Sequence, residues 1–265
     1  MVDIPDINSK LLTRYNNIEY YDDVHKYYLN GKECISVTTL IHKYVTEFDE
    51  LYWSEAKAEE FNLTPKEVLR AWKFLNEKGT FKGSLIHEYG ENLFKHKFFP
   101  YPSDRVINMF GFDPIKKEYD KTKKHVDKFY NDVKDKLIPV HLEGVYYDEE
   151  ALIAGMADIL FYNVRKKQYQ IWDYKTNKDF TFGNDFGHTL KYPLNHLADC
   201  DIEIYSLQLA LYKLLIEKHT GLKIGDSYLI WVSHRNNKYE LIKTYNRDEE
   251  IKKIYVKRLM EVKFN

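Results

Sequence analysis

Residues 143–178 read EGVYYDEEALIAGMADILFYNVRKKQYQIWDYKTNK, and no other stretch limits the possible folds as much. Two runs rich in aromatic and β-branched residues, 152–162 and 169–175, flank the polar segment 163–168. That is the pattern of two strands joined by a turn. Acids stand where a strand normally wants apolar side chains: Asp158 interrupts AGMADILFY, and Asp173 follows YQIW. Lys175 lies two residues beyond Asp173, so both side chains leave the strand on one face. A buried unpaired charge is costly, so two acids and a lysine gathered on a sheet need a reason. A divalent cation is one. Mg²⁺ prefers hard oxygen ligands, takes one or two carboxylates from the protein, and leaves its other positions to water and substrate phosphate. Lys175 would then stabilise charge on a phosphate under attack, or orient and deprotonate the attacking water. A structural Asp–Lys pair, with Asp158 in a loop, is the other reading open to this stretch alone.

The N-terminal flank reads as short strands and helices. Residues 18–35 form an expected hairpin about Asn30-Gly31, a tight-turn pair. Ser36 heads a short helix and Asp49 caps another through Phe61. Thr64-Pro65-Lys66-Glu67 supplies a cap, a first-turn proline and a capping-box glutamate. That helix is expected to end near Lys78, with Val68, Leu69, Trp72 and Leu75 on its apolar side. A second is expected over 80–97, with Leu85, Ile86, Tyr89 and Leu93 inward. Gly83 costs helix stability and permits close backbone approach. His87 shares a face with Gly83 and Glu91; taken alone it reads as core or surface filler. Residues 98–114 read as a loop or short insertion.

Residues 115–137 read as a long polar helix. Its lysines, Lys116, Lys117 and Lys124 among them, form either a salt-bridged solvated face or a phosphate-contacting flank. Pro139 breaks that helix, and the sheet begins over 140–147 with Glu143 at the head of the strand. Residues 176–200 lack periodicity and read as a substrate-facing flap, with a disordered connector as the other reading. Residues 201–219 form a densely apolar helix ended near Gly221. Within it Gln208 and Tyr212 sit one turn apart, with Tyr205 one turn before. A glutamine there needs amide partners. It is either a buried hydrogen-bonded group or one that reaches the scissile phosphate or a metal-bound water. Strands over 227–232 and 239–244, then a helix capped by Asn246 with Glu249 and running to about Val262, complete the chain.

At 265 residues the chain can bury a sizeable core. The formal net charge of -1 gives no global attraction to nucleic acid, so any such surface must be a local basic patch. The 23 tyrosines supply rings able to stack on bases. No apolar run reaches the roughly 18 residues of a membrane span. The opening MVDIPDINSK lacks the basic and apolar regions of a secretory signal. Cys34 and Cys200 alone make neither a disulfide scaffold nor a four-cysteine metal or iron–sulfur site, and a reducing cytoplasm is expected.

In order, the chain carries Gly83-x-x-x-His87, Glu143, Gly155-Met156-Ala157-Asp158, Asp173-Tyr174-Lys175 and Gln208-x-x-x-Tyr212. This series resembles the RecB-like exonuclease branch of the PD-(D/E)XK nuclease superfamily, in particular phage-type exonucleases and the mitochondrial genome-maintenance exonucleases. The stretches SVTTLIHKY, KGSLIHEYGENLF, IWDYKTNK and PLNHLADCDIEIYSLQLALY are also similar to the phage members. Ala157 stands where the superfamily nominally has proline, and Asp173 where glutamate is frequent.

The resemblance implies an α/β restriction-endonuclease-like fold, a central mixed sheet flanked by helices with an N-terminal helical region. One nuclease domain would span 1–265, divided into an N-terminal hairpin and helices (1–80), a catalytic core (80–245) and a C-terminal helix (246–265). It implies a metal-dependent DNA exonuclease acting in recombination, repair or degradation. His87, Asp158, Asp173 and the Tyr174 carbonyl would hold one or two Mg²⁺ or Mn²⁺ ions, with Glu91 as an outer partner of His87. Lys175 would be the catalytic lysine and Glu143 an accessory acid. Gln208 and Tyr212 would orient DNA and the active site, and Lys178, Tyr205, Gln208, Lys116, Lys117 and Lys124 would contact DNA. The implied partners are linear duplex or single-stranded DNA ends and a single-strand annealing or binding protein, with no membrane. A catalytically silent nucleic-acid-binding accessory protein and an endonuclease of the same fold are the competing readings.

Overall fold

The computed structural model describes residues 18–21, 24–96 and 112–264. The MVDIPDINSK segment and most of the loop expected over 98–114 lie outside them.

Eight strands form one mixed sheet: β1 (Ile18–Tyr21), β2 (Lys26–Leu29), β3 (Lys32–Ser36), β4 (Leu137–Asp148), β5 (Ile153–Asn163), β6 (Gln168–Lys175), β7 (Tyr228–Trp231) and β8 (Glu240–Lys243). Their order is β1-β2-β3-β5-β6-β7-β8, with β4 beside β5. The β3–β5 and β6–β7 pairs are parallel and the rest antiparallel. The helices are α1 (Val37–His42), α2 (Glu50–Phe61), α3 (Pro65–Phe94), α4 (Phe112–Val133), α5 (Asp201–Thr220) and α6 (Asp248–Phe264). Side chains of α3 and α4 pack on one sheet face around Ile86, Phe129, Phe161 and Tyr174. Those of α1, α5 and α6 pack on the other around Val37, Ile171, Leu211 and Ile254. The architecture is therefore α/β, a mixed sheet flanked by helices. Among the described residues, no helix is long and apolar enough to cross a membrane.

Local sequence chemistry accounts for most boundaries. Asn30 and Gly31 both take positive φ, 50° and 77°, as a two-residue hairpin turn requires. Ser36, Asp49 and Thr64 each accept a backbone N–H at the head of a helix, Thr64 in a full capping box with Glu67. Gly221 closes α5 at φ 69°.

Several expectations are corrected. The two helices expected over 65–78 and 80–97 are one continuous helix of 30 residues. Gly79 and Gly83 do not break it, because its second half is held by Leu85, Ile86 and Tyr89 in the core; glycine costs a helix only about 1 kcal/mol. Leu75, expected inward, is exposed. Pro139 lies inside β4 rather than after a helix. It is tolerated because β4 pairs with β5 alone and is irregular between Pro139 and His141. Glu143 sits in the interior of β4, not at its head. Glu249 does not cap α6 but pairs with Lys252, leaving Asn246 to accept the Asp248 N–H. Residues 176–200 are not a free flap: Leu190, Leu194 and Leu197 are buried in the α5-side core, and Asp201 accepts from the Thr181 N–H and hydroxyl.

Two glycines set how closely helices approach the sheet. A Cβ on Gly90 of α3 would lie 2.6 Å from Cε2 of the buried Tyr174. One on Gly155 of β5 would lie 2.8 Å from Tyr212 of α5 and 2.8 Å from Val37 of α1. The fully buried Asp148 ties β4 to α5 and α6. It accepts from Ala151 N–H (2.8 Å) and Tyr255 hydroxyl (3.0 Å), and meets Lys218 Nζ at 2.5 Å and His219 Nε2 at 3.1 Å. Burial alone would raise its carboxyl pKa, but His219 and Lys218 hold it well below the usual carboxylate range.

Gly90→Ala should cost about 1–3 kcal/mol in denaturant unfolding, because the buried Tyr174 ring has no space to yield. Asp148→Asn should cost about 2–3 kcal/mol at neutral pH. A depressed native pKa adds stability above the unfolded value of about 3.9 and loses it as pH falls through the native value. The gap between wild type and Asp148→Asn should therefore close below about pH 4, as urea titrations at several pH values would show.

Candidate metal centre

β4 occupies one edge of β5 along its length. On the other edge β3 pairs at Ile153 and Ala154 and β6 from Ile159 to Asn163, so residues 155–158 have no strand partner there. Continuing the β5–β6 register by one residue would set Asp158 opposite Asp173; the strands part instead. On β4 the ladder skips from Leu142↔Ile159 to Gly144↔Ala157, and the intervening Glu143 has φ 49°. The pleat of β5 slips at the same level: Ile153 and Ala157 join the α5-side core, whereas Ile159 and Phe161 join the α3-side core. A left-handed conformation costs a non-glycine residue about 1–3 kcal/mol. Here that distortion accompanies the gathering of acids at one level of the sheet.

Asp158 stands at the middle of the group. Its Oδ2 lies 3.0 Å from His87 Nδ1 of α3 and accepts the Tyr174 N–H of β6 at 2.7 Å. Ligand atoms of His87, Glu143 and Asp158 all lie within 4.8 Å of one another. Asp173 stands beside this set, with Oδ2 2.5 Å from Lys175 Nζ. Lys175 Nζ also donates to Gln208 Oε1 at 3.4 Å and lies 4.4 Å from the centre of the Tyr205 ring. Gln208 Nε2 reaches the Tyr212 hydroxyl at 3.5 Å.

The electrostatics follow from burial and crowding. Burial disfavours a charged His87, but Asp158 outweighs it and the imidazole pKa rises to about 9. Burial, then the charge of Asp158, push Glu143 up to about 8. Burial and Asp158 also raise Asp173, while Asp158 itself is lowered because His87 offsets its burial. Lys175 is raised: burial opposes its charge, but Asp173 prevails. An imidazole with hard oxygen donors suits Mg²⁺ or Mn²⁺.

Some expected site residues sit elsewhere. Glu143, expected as an accessory acid, belongs to the compact set, whereas Asp173 is turned to Lys175. Glu91 is engaged by Lys95 rather than by His87. Tyr205 packs over Lys175 and exchanges hydrogen bonds with Asn177 rather than standing as a free DNA contact. Lys178 is exposed, and its carbonyl accepts the Ser233 hydroxyl. Lys117 and Lys124 lie on the exposed stripe of α4, and Lys116 pairs with Asp120 at 2.7 Å. None of these three lysines lines the cleft that opens beside the centre.

That cleft, of about 670 Å³, is bounded by Thr80, Ser84 and His87 of α3, Glu143 of β4, Met156 of β5 and Tyr20 of β1. Sequence reasoning passed over Tyr20 and Met156. Met156 had a signal, its place in the Gly155–Asp158 motif. Tyr20 had none, because only the docking of β3 on β5 brings it there.

No protein-family model matches the chain, and no curated protein matches it. Among solved structures, one titled "Crystal structure of SSO0001" is similar over 98% of this chain and 86% of that one, at 13% identity and a TM-score of 0.29. A likeness that slight carries no argument about fold or activity.

Metal ligands must be deprotonated, so binding releases protons. With His87 near 9 and Glu143 near 8, Mn²⁺ affinity should rise steadily from about pH 6 to pH 9. Calorimetry at pH 7 in buffers of different ionisation enthalpy should show release of about one to two protons per ion. A flat affinity profile, or one unchanged in His87→Ala, would count against these ligands.

Proposed function

We propose that the chain is a metal-dependent DNA exonuclease with the PD-(D/E)XK fold of the RecB-like branch. The observation that carries the reading is the meeting of His87, Glu143 and Asp158 within 4.8 Å, with the Asp173–Lys175 pair beside them, where His87 and Glu143 line a cleft. His87, Asp158, Asp173 and Glu143, with the Tyr174 carbonyl, would hold one or two Mg²⁺ or Mn²⁺ ions. Such an ion supplies charge relief on the phosphodiester and help in activating water.

The chain's own residues divide the remaining work. Lys175, with its pKa raised, is a cation at neutral pH. It serves to neutralise charge building on a non-bridging phosphate oxygen rather than to take a proton. Asp173, Gln208 and the Tyr205 ring hold its ammonium in place. Tyr212, buried against Gly155, fixes the Gln208 amide from behind. Water attacks phosphorus and gives up a proton to solvent, one ester P–O bond breaks, and the leaving 3′ or 5′ oxygen takes up a proton from solvent.

End-labelled linear DNA should be digested with Mg²⁺ or Mn²⁺ and spared with chelator. Asp158→Ala and Lys175→Ala should each lower the rate by at least about 100-fold while the circular dichroism spectrum is unchanged. Full activity in either variant would remove the proposal, and efficient cutting of covalently closed circles would replace it with an endonuclease.

A further inference from the structure

We propose that Asn177 is a positioning residue: acting through the Tyr205 ring, it fixes where the Lys175 ammonium stands. The kinetic part of this rests on the nuclease reading above; the rest concerns the side chains alone.

A lysine depends on its neighbours for direction, because its ammonium ends a flexible four-carbon stem. Asp173 and Gln208 give Lys175 its polar partners. The third neighbour is the Tyr205 ring, 4.4 Å from Nζ. A cation is drawn to the face of such a ring. The attraction locates the ammonium only as well as the ring itself is located.

Asn177 locates the ring. It stands two residues beyond Lys175, just past the end of β6. Its Nδ2 donates to the Tyr205 hydroxyl at 2.8 Å and to Asp201 Oδ1 at 3.2 Å. Its Oδ1 accepts from the Tyr205 hydroxyl at 3.1 Å. An ionised carboxylate can only accept, so Asp201 dictates that the amide turns its nitrogen this way, and both amide hydrogens are used. None of these bonds goes to a proposed metal ligand, so the effect of Asn177 on the reaction passes through Lys175.

The frame behind Asn177 is fixed in turn. Asp201 Oδ2 accepts the Thr181 N–H at 2.8 Å and the Thr181 hydroxyl at 2.9 Å. The Asn177 carbonyl accepts Trp231 Nε1–H at 2.9 Å, and Trp231 is the β7 partner of Lys175 in the sheet. Phe180 packs on both Tyr205 and Trp231, with ring centroids 5.9 and 5.5 Å away. The start of the 176–200 segment is therefore a brace for the residue that precedes it.

The test has two readouts. One is steady-state digestion of end-labelled linear DNA with Mg²⁺. The other, without metal or DNA, is acylation of individual lysines followed by mass spectrometry. Asn177→Ala should lower kcat about 10- to 100-fold with KM within about twofold, as misplacing a reacting group does. Tyr205→Phe keeps the ring and loses the hydroxyl. It should lower kcat similarly, and the double variant should fall no further, because the two residues act as one unit. Asn177→Asp sets two carboxylates face to face and should also lose rate. Adding Asp201→Asn reverses the polarity of that bond and should restore at least about half of the wild-type kcat. Acylation of Lys175 should rise at least about threefold in Asn177→Ala, while Lys218, held by Asp148, is unchanged.

Unchanged kcat in Asn177→Ala, a change confined to KM, unchanged acylation of Lys175, or no recovery in the exchanged Asp–Asn pair overturns the inference. Acylation that follows Asn177 in a chain that digests no DNA removes the nuclease reading alone. Digestion that needs Lys175 but not Asn177 removes this inference alone.

Discussion

One carboxylate joins the parts. Asp158 of β5 meets an imidazole from α3 and accepts a main-chain N–H from β6. Neither contact forms unless the two strands part at this level and α3 lies close against the sheet. The first condition is met where the β5–β6 ladder stops at Ile159↔Trp172. The second is met at Gly83 and Gly90, where a side chain would press on Thr176 and Tyr174. The β6 N–H at Tyr174 is satisfied by a side chain, so the opening leaves no orphaned donor at that residue.

The same crowding makes the centre electrostatically unsettled. Three carboxylates share a small space with one imidazole and one ammonium, and the groups respond by shifting their protons: Glu143 and Asp173 upward, His87 to about 9. Shifts of this kind, caused by burial together with a specific charged neighbour in a cleft, are characteristic of functional sites. Contrast Asp148, which is as deeply buried. Its partners are cationic or neutral donors, and it stays ionised as a strut between β4, α5 and α6. Burial alone does not distinguish a strut from a site; the sign of the neighbours does.

Much of this was legible in the residues. Asn30-Gly31, Thr64-Pro65 and Gly221 mark a turn, a helix start and a helix end because each satisfies a local backbone demand. The acids at 158 and 173 stood out because strands disfavour them. Their spacing also set Asp173 and Lys175 on one face, where the structure has them 2.5 Å apart. The expected break near Lys78 was misleading, since local propensity near Gly79 and Gly83 yields to core packing one turn further on. The lysines of α4 suggested a phosphate flank, yet the helix spends Lys116 on Asp120 and Lys128 on Asp132, pairs that any solvated helix can form.

By itself, then, the sequence determined most strands and helices, the expected break near Lys78 aside, and which side chains had no ordinary reason to be where they are. Those are properties of neighbours within a few residues. Which of them meet was decided by the tertiary structure, because His87, Glu143 and Asp158 are distant in the chain and share a centre through sheet order, the slip of the pleat at Glu143 and Asp158, and helix approach at glycine. Tyr20 belongs wholly to that second category. Nothing near it in the chain points to a cleft, and it lies there because β3 takes the edge of β5 that β6 leaves free.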